Sequence, residues 1–185
     1  MKGTLLYGVG INDAEYQVNT TREKNSKREI VWRCPYYQKW VNMLERAYGP
    51  QRPTYKDVKV CPEWKSFTSF KSWMQTQDWE GKELDKDLRG DGKLYSPEFC
   101  AFVSKKVNMF IHFKVPELYR GYWQISVRFP NKTRKKFRRK SREGVFKEYY
   151  EGKKLALSML SEEDCPKDIR KAVSQKLDKF YEENL

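Results

Sequence analysis

Glu83-Leu84-Asp85-Lys86-Asp87, continued by Gly90-Asp91-Gly92, Tyr95-Ser96-Pro97-Glu98-Phe99-Cys100-Ala101-Phe102-Val103 and Val107-Asn108, is the stretch whose reading decides the fold. An acidic residue, Asp85, ends a strand, and the two glycines supply the backbone freedom of a tight turn. Tyr95-Ser96-Pro97-Glu98 then reads as the opening of a helix that runs on to Asn108. Asp78-Trp79-Glu80-Gly81-Lys82 is the turn that leads into the Asp85 strand.

Outward toward the N-terminus the periodicity changes. After Pro35, the residues Tyr36, Trp40, Met43, Leu44 and Ala47 recur at three- and four-residue steps, an amphipathic helix that ends near Gly49-Pro50. Its apolar face needs a partner, and Trp64, Phe67, Phe70, Trp73 and Met74 repeat with the same spacing. An aromatic stripe of that kind reads as core rather than as a platform for stacking bases. Between the two helices Tyr55-Lys56-Asp57-Val58-Lys59-Val60-Cys61 reads as a short extended segment. Residues 1–30 run from Tyr7-Gly8-Val9-Gly10 into the polar Thr20 to Arg28 and read as an N-terminal arm with one short strand.

The runs Cys34 to Tyr48, Pro53 to Met74 and Glu83 to Asn108 together resemble HNH-type (ββα-metal) homing endonucleases and related proteins of tailed phages, over roughly residues 7–115. The resemblance implies an HNH-like domain over 31–115, encoded by a phage or mobile element and acting in the cytoplasm of a bacterial host. It also implies Asp85 as a ligand to Mg²⁺, with a neighbouring side chain taking a proton from water. Two positions depart from that pattern. Lys86 stands where a histidine is expected and Phe99 where an asparagine is expected, so the catalytic set would be Asp85, Lys86 and Asp87. An ammonium is a poor base beside a metal unless its pKa falls far below about 10.4; the favoured reading of Lys86 is a strand residue contacting phosphate. Related phage nucleases sometimes hold a small core with zinc, for which Cys34, Cys61, Cys100 and His112 are the available ligands. The four cysteines form no C-x-x-C pair, so buried free thiols are the other reading.

The C-terminal third is legible by itself. Gly121 to Phe129 alternates and is rich in β-formers, Pro130-Asn131 turns, and Lys132 to Arg142 returns as a second strand. That return carries Lys132, Arg134, Lys135, Lys136, Arg138, Arg139, Lys140 and Arg142, eight cations in eleven positions. Such density repels itself unless solvated or matched by phosphates, and a two-stranded ribbon is of a size to enter a DNA major groove. Val145, Phe146, Tyr149, Leu155, Ala156, Met159 and Leu160 form a helix face packed on the hairpin. A last helix follows Pro166, with Ile169, Val173, Leu177 and Phe180 or Tyr181 on one side. Residues 116–160 resemble the Apetala-type DNA-binding segment that many of these phage proteins carry, a three-stranded sheet backed by a helix. The expected fold is α+β: an arm over 1–30, an HNH-like ββα core with flanking helices over 31–115, and a basic β-sheet-plus-helix module over 116–185.

Composition agrees with a polyanion binder. The 185 residues carry 38 Lys+Arg against 25 Asp+Glu, a net charge of +13, while 38% hydrophobic and 15% aromatic residues suffice for packed cores. No apolar run approaches 18 residues and no lipidation motif is present, which leaves nucleic acid rather than a membrane as the polyanion. Three functions follow: a metal-dependent DNA nickase or endonuclease, a non-catalytic and sequence-specific double-stranded DNA binder acting as a repressor or accessory protein, and a protein that binds RNA or an acidic protein surface. Loss of both the histidine and the asparagine favours the second.

Overall fold

The computed structural model describes residues 5–25, 27–50, 55 and 57–185; Lys56 of the expected extended segment, and residues 1–4 and 26 of the expected arm, lie outside them. The architecture is α+β with small sheets, and the chain forms two compact units. One comprises the residues up to Glu80 together with Leu84–Phe102; the other comprises Gly81–Glu83 and Val103–Leu185.

In the first unit the two expected helices are α1, Pro35–Tyr48, and α2, Phe67–Gln75. Proline at the first turn loses no helical hydrogen bond, and Ser66 caps α2 by accepting from Ser69 N. Their apolar stripes meet in a core where Trp40, Leu44, Trp64, Phe67, Phe70 and Met74 are almost wholly buried. The Trp40 indole donates to Trp64 O at 2.7 Å, so the ring is buried with its polar atom satisfied. Residues 5–13 run against this core: Ile11 N donates to Lys65 O and Phe67 N to Ile11 O. A Cβ on Gly10 would stand 2.4 Å from Leu44 Cδ1, so only glycine lies this close to α1. Asp13 then accepts from Thr68 N, Thr68 Oγ1 and Ser66 Oγ at 2.6–2.8 Å. Partial burial alone would raise its carboxyl pKa, but these three bonds prevail and hold it below the usual carboxylate range.

The expected arm is a hairpin of β1, Asn19–Lys24, and β2, Lys27–Arg33, with a bulge at Thr20/Thr21. The extended segment contracts to β3, Lys59–Val60, which pairs in parallel with β5, Leu94–Tyr95. β4, Glu83–Asp85, pairs with β6, Ala101–Val103. Here the sequence reading needs correction. Ser96-Pro97-Glu98-Phe99 does not open a helix; it is a turn closed by Cys100 N donating to Ser96 O, and it feeds β6. The helix, α3, starts later, at Lys105–Phe110, capped by Ser104.

In the second unit β7, Glu117–Tyr119, β8, Tyr122–Arg128, and β9, Arg134–Arg139, form one antiparallel sheet in the order β7-β8-β9. The β7–β8 turn is Arg120-Gly121 with φ of 48° and 76°, the left-handed pair that matches strand twist. α4, Arg142–Ser158, covers one face of the sheet, and α5, Lys167–Glu183, packs Ile169, Val173 and Leu177 into the same core. Gly152 of α4 lets the helix close on the sheet, since a Cβ there would lie 3.2 Å from both Phe137 and Val127. Contrary to the expected helix face, Leu155 and Met159 are exposed, because residues 156, 157 and 160 take the inward positions.

Candidate functional site

The acidic segment after β4 is built around its own backbone. Asp85 is 5% exposed, and its Oδ1 accepts from Asp87 N at 3.0 Å and Leu88 N at 2.7 Å, closing the loop that leaves the strand. Lys86 is also buried, at 7% exposure; its ammonium donates to Asp87 Oδ1 at 2.7 Å and lies 5.1 Å and 5.8 Å from the ring centres of Tyr55 and Tyr95. Gly92 makes room for that pair, for at φ 77° a Cβ would stand 2.2 Å from Asp87 Oδ1 and 3.6 Å from Lys86 Nζ. The glycine-rich turn therefore serves an ion pair. Asn108 of α3 donates its amide to Glu83, both in the second unit, whereas Asp85 to Asp87 belong to the first.

The Mg²⁺ that the resemblance implies does not fit these residues. Mg²⁺ requires a near-octahedral set of oxygens. Asp85 spends Oδ1 on two N–H groups, and Asp87 faces an ammonium at bonding distance, so a dication there would meet a positive charge. Buried Lys86 is likewise turned away from phosphate. For zinc, no group of three or more His, Cys, Asp or Glu that could hold a metal ion is found among the described residues. Cys34, Cys61 and Cys100 are buried free thiols of the first unit, and His112 is exposed in the second. Burial pushes the Cys100 thiol up to about 12, as expected of a small thiol packed in a core.

The basic residues are sorted by the register of the sheet. Ile125 pairs with Phe137 and Val127 with Lys135, so odd-numbered positions of β8 and β9 face α4. Even-numbered positions form the open face: Arg128 opposite Arg134, Ser126 opposite Lys136, Gln124 opposite Arg138, with Tyr122, Tyr119 and Glu117 continuing onto β7. Arg134 Nε donates to Ser126 Oγ at 2.8 Å, and the Arg138 guanidinium lies 4.2 Å from the Tyr122 ring centre. These contacts fix two cations without neutralising them. The open face thus carries four cations against a single carboxylate, Glu117, which accepts from Gln124.

The other predicted cations are placed differently. Lys135 and Arg139 lie on the helix side at its rim, and Arg139 is bonded to Glu148. Arg142 opens α4 and donates to the carbonyls of Asn184 and Leu185. Lys132 sits in the turn at φ 68°, and Lys140 follows β9, exposed. Arg128 was not singled out from sequence; as the last residue of β8 and its one charged side chain, it joins the site only through register. Comparison with protein-family models, with curated proteins and with solved structures returns no match for this chain. Among the described residues no helix is long and apolar enough to cross a membrane.

Proposed function

We propose that this chain binds double-stranded DNA through the open face of the β7-β8-β9 sheet, as a sequence-specific binding protein of the kind that HNH homing endonucleases of tailed phages give rise to, and that it does so without cutting. The observation that carries the reading is the array on the open face: Arg134, Lys136 and Arg138 of β9 lie beside Arg128 of β8, Phe137 between them is buried against α4, and Lys135 and Arg139 fall at the rim of the other side. A sheet face this wide suits the B-DNA major groove, about 12 Å across, whereas the deep major groove of duplex RNA excludes it. Tyr119, Tyr122 and Ser126 supply donors, acceptors and ring faces for base edges beside the phosphate-directed cations, while Gln124 lies buried beneath them on Glu117.

The reading without cutting is supported by the acidic segment, where the expected histidine is an ammonium bonded to Asp87 and Asp85 Oδ1 accepts two backbone N–H groups. The test is affinity for duplex DNA as a function of salt. Each neutralised phosphate contributes about 0.9 to the slope of log affinity against log salt. Arg134→Ala/Lys136→Ala should flatten that slope by about 1.8 units. An unchanged slope removes the sheet as the anchor. Nicks in supercoiled plasmid with Mg²⁺ that vanish in Asp85→Ala would restore the endonuclease reading.

A further inference from the structure

Like the open face of the sheet, the β1–β2 hairpin lies uncovered among the described residues. Residues 20–24 and 27–32 are all exposed, including Ile30, Val31 and Trp32 at 49% each. A two-stranded ribbon with neither face buried is marginal in water. This one is nevertheless anchored: Cys34 N donates to Val18 O, Arg33 bridges Asn19 Oδ1 and Gln38 Oε1 at 2.8 and 2.9 Å, and Val18 and Cys34 are buried at its base. The base is fixed to the start of α1 while the ribbon projects.

Its charges do not favour the isolated hairpin. Register sets Lys24 directly opposite Lys27 at the tip, like charges whose facing across a strand pair is destabilising, while Arg28 next in line stands opposite Glu23. The acids nearby do not cancel this: Arg22–Glu29 is a loose pair at 3.7 Å with both side chains mostly exposed, and across residues 19–33 five cations face two carboxylates. A projecting ribbon with an uncompensated cationic tip is complementary to a polyanion, and two strands about 5 Å apart fit a major groove about 12 Å wide.

We infer that the β1–β2 hairpin is a second duplex-DNA contact, with Lys24, Lys27 and Arg28 on phosphates and Thr21 and Ile30 facing the groove. This rests on the DNA-binding reading of the sheet but assigns a separate site in the other unit. Two measurements on the full chain test it. Lys24→Ala/Lys27→Ala/Arg28→Ala should flatten the salt slope by about 2.7 units, at 0.9 per phosphate. All four native cysteines are buried, so Thr21→Cys offers the single accessible thiol for a tethered iron–EDTA chelate, which should cut DNA within the protected region. If the wild type binds DNA and the sheet variant weakens it, while the hairpin variant keeps its slope and the chelate cuts no more than free chelate, the hairpin inference falls and the sheet reading stands. If the hairpin variant instead converts a dimer to a monomer at unchanged slope, a second copy is the occupant and the inference is equally overturned. If the wild type binds no duplex DNA, both readings fall.

Discussion

Single side chains decide what this molecule can do chemically, and burial is what sequence conceals about them. Asp85-Lys86-Asp87 was legible as a cluster of titratable groups, but nothing in the string says that Lys86 turns inward to Asp87 between two tyrosine rings. A second buried amine, Lys153, was not singled out at all, because in a helix read as amphipathic a lysine is assumed to face water. Its ammonium donates to Phe110 O at 2.7 Å and lies 3.7 Å from the Phe110 ring centre. Desolvation lowers its pKa to about 8. Between pH 8 and the unfolded value near 10.4, the unfolded chain therefore binds the extra proton, and this residue's contribution to stability rises with pH, by at most about 1.4 kcal/mol per unit. Cys61, Cys100 and Cys165, whose thiols burial pushes up, act in the opposite direction over the same range. The informative quantity is thus the difference in unfolding free energy between wild type and Lys153→Met, which should move in favour of the wild type from pH 8 to pH 10. A flat difference would mean that Lys153 titrates normally.

Elements were legible wherever a buried face imposed its period. α1, α2, α5 and β8 follow from spacing because one side of each is core. β6 was missed because Ala101-Phe102-Val103 is too short to alternate and all three residues are buried, so it continues the apolar pattern of a helix as well as that of a strand. The β1–β2 hairpin was read as an arm for the opposite reason: with no buried face it shows no alternation of apolar and polar residues. Packing of α4 on the sheet turns on Gly152, where a side chain meets Phe137 and Val127 at once. Gly152→Val should cost about 1–3 kcal/mol through overpacking, read as a lower denaturant midpoint at unchanged m-value. Salt-dependent DNA affinity of the folded fraction should stay as in the wild type, since the open face is on the far side. If stability is unaffected, α4 does not seat as closely as the structure has it.

At the scale of the whole chain, the second unit reaches back past the sheet to α3, farther than the module read from sequence. Phe110 is the reason: its carbonyl and ring hold Lys153, and its ring meets Phe113 edge-on, which in turn packs on Phe180 of α5. A fragment starting at Val103 lacks Gly81–Glu83 but keeps Phe110, so it should be more stable and bind duplex DNA better than one starting at Val115, which leaves a buried ammonium without its acceptor and should lose more than about 2 kcal/mol besides. Thermal melts of the two fragments decide it; equal midpoints would place the boundary nearer 115. The path of the chain carries one more consequence. Gly81–Glu83 belongs to the second unit while the residues on both sides of it belong to the first, and Glu83 is the acceptor for Asn108. The two units are therefore not interchangeable cassettes. A single genetic crossover, wherever it falls, hands a new partner an incomplete half, so recombination among relatives would have to exchange these units together or splice the gene twice.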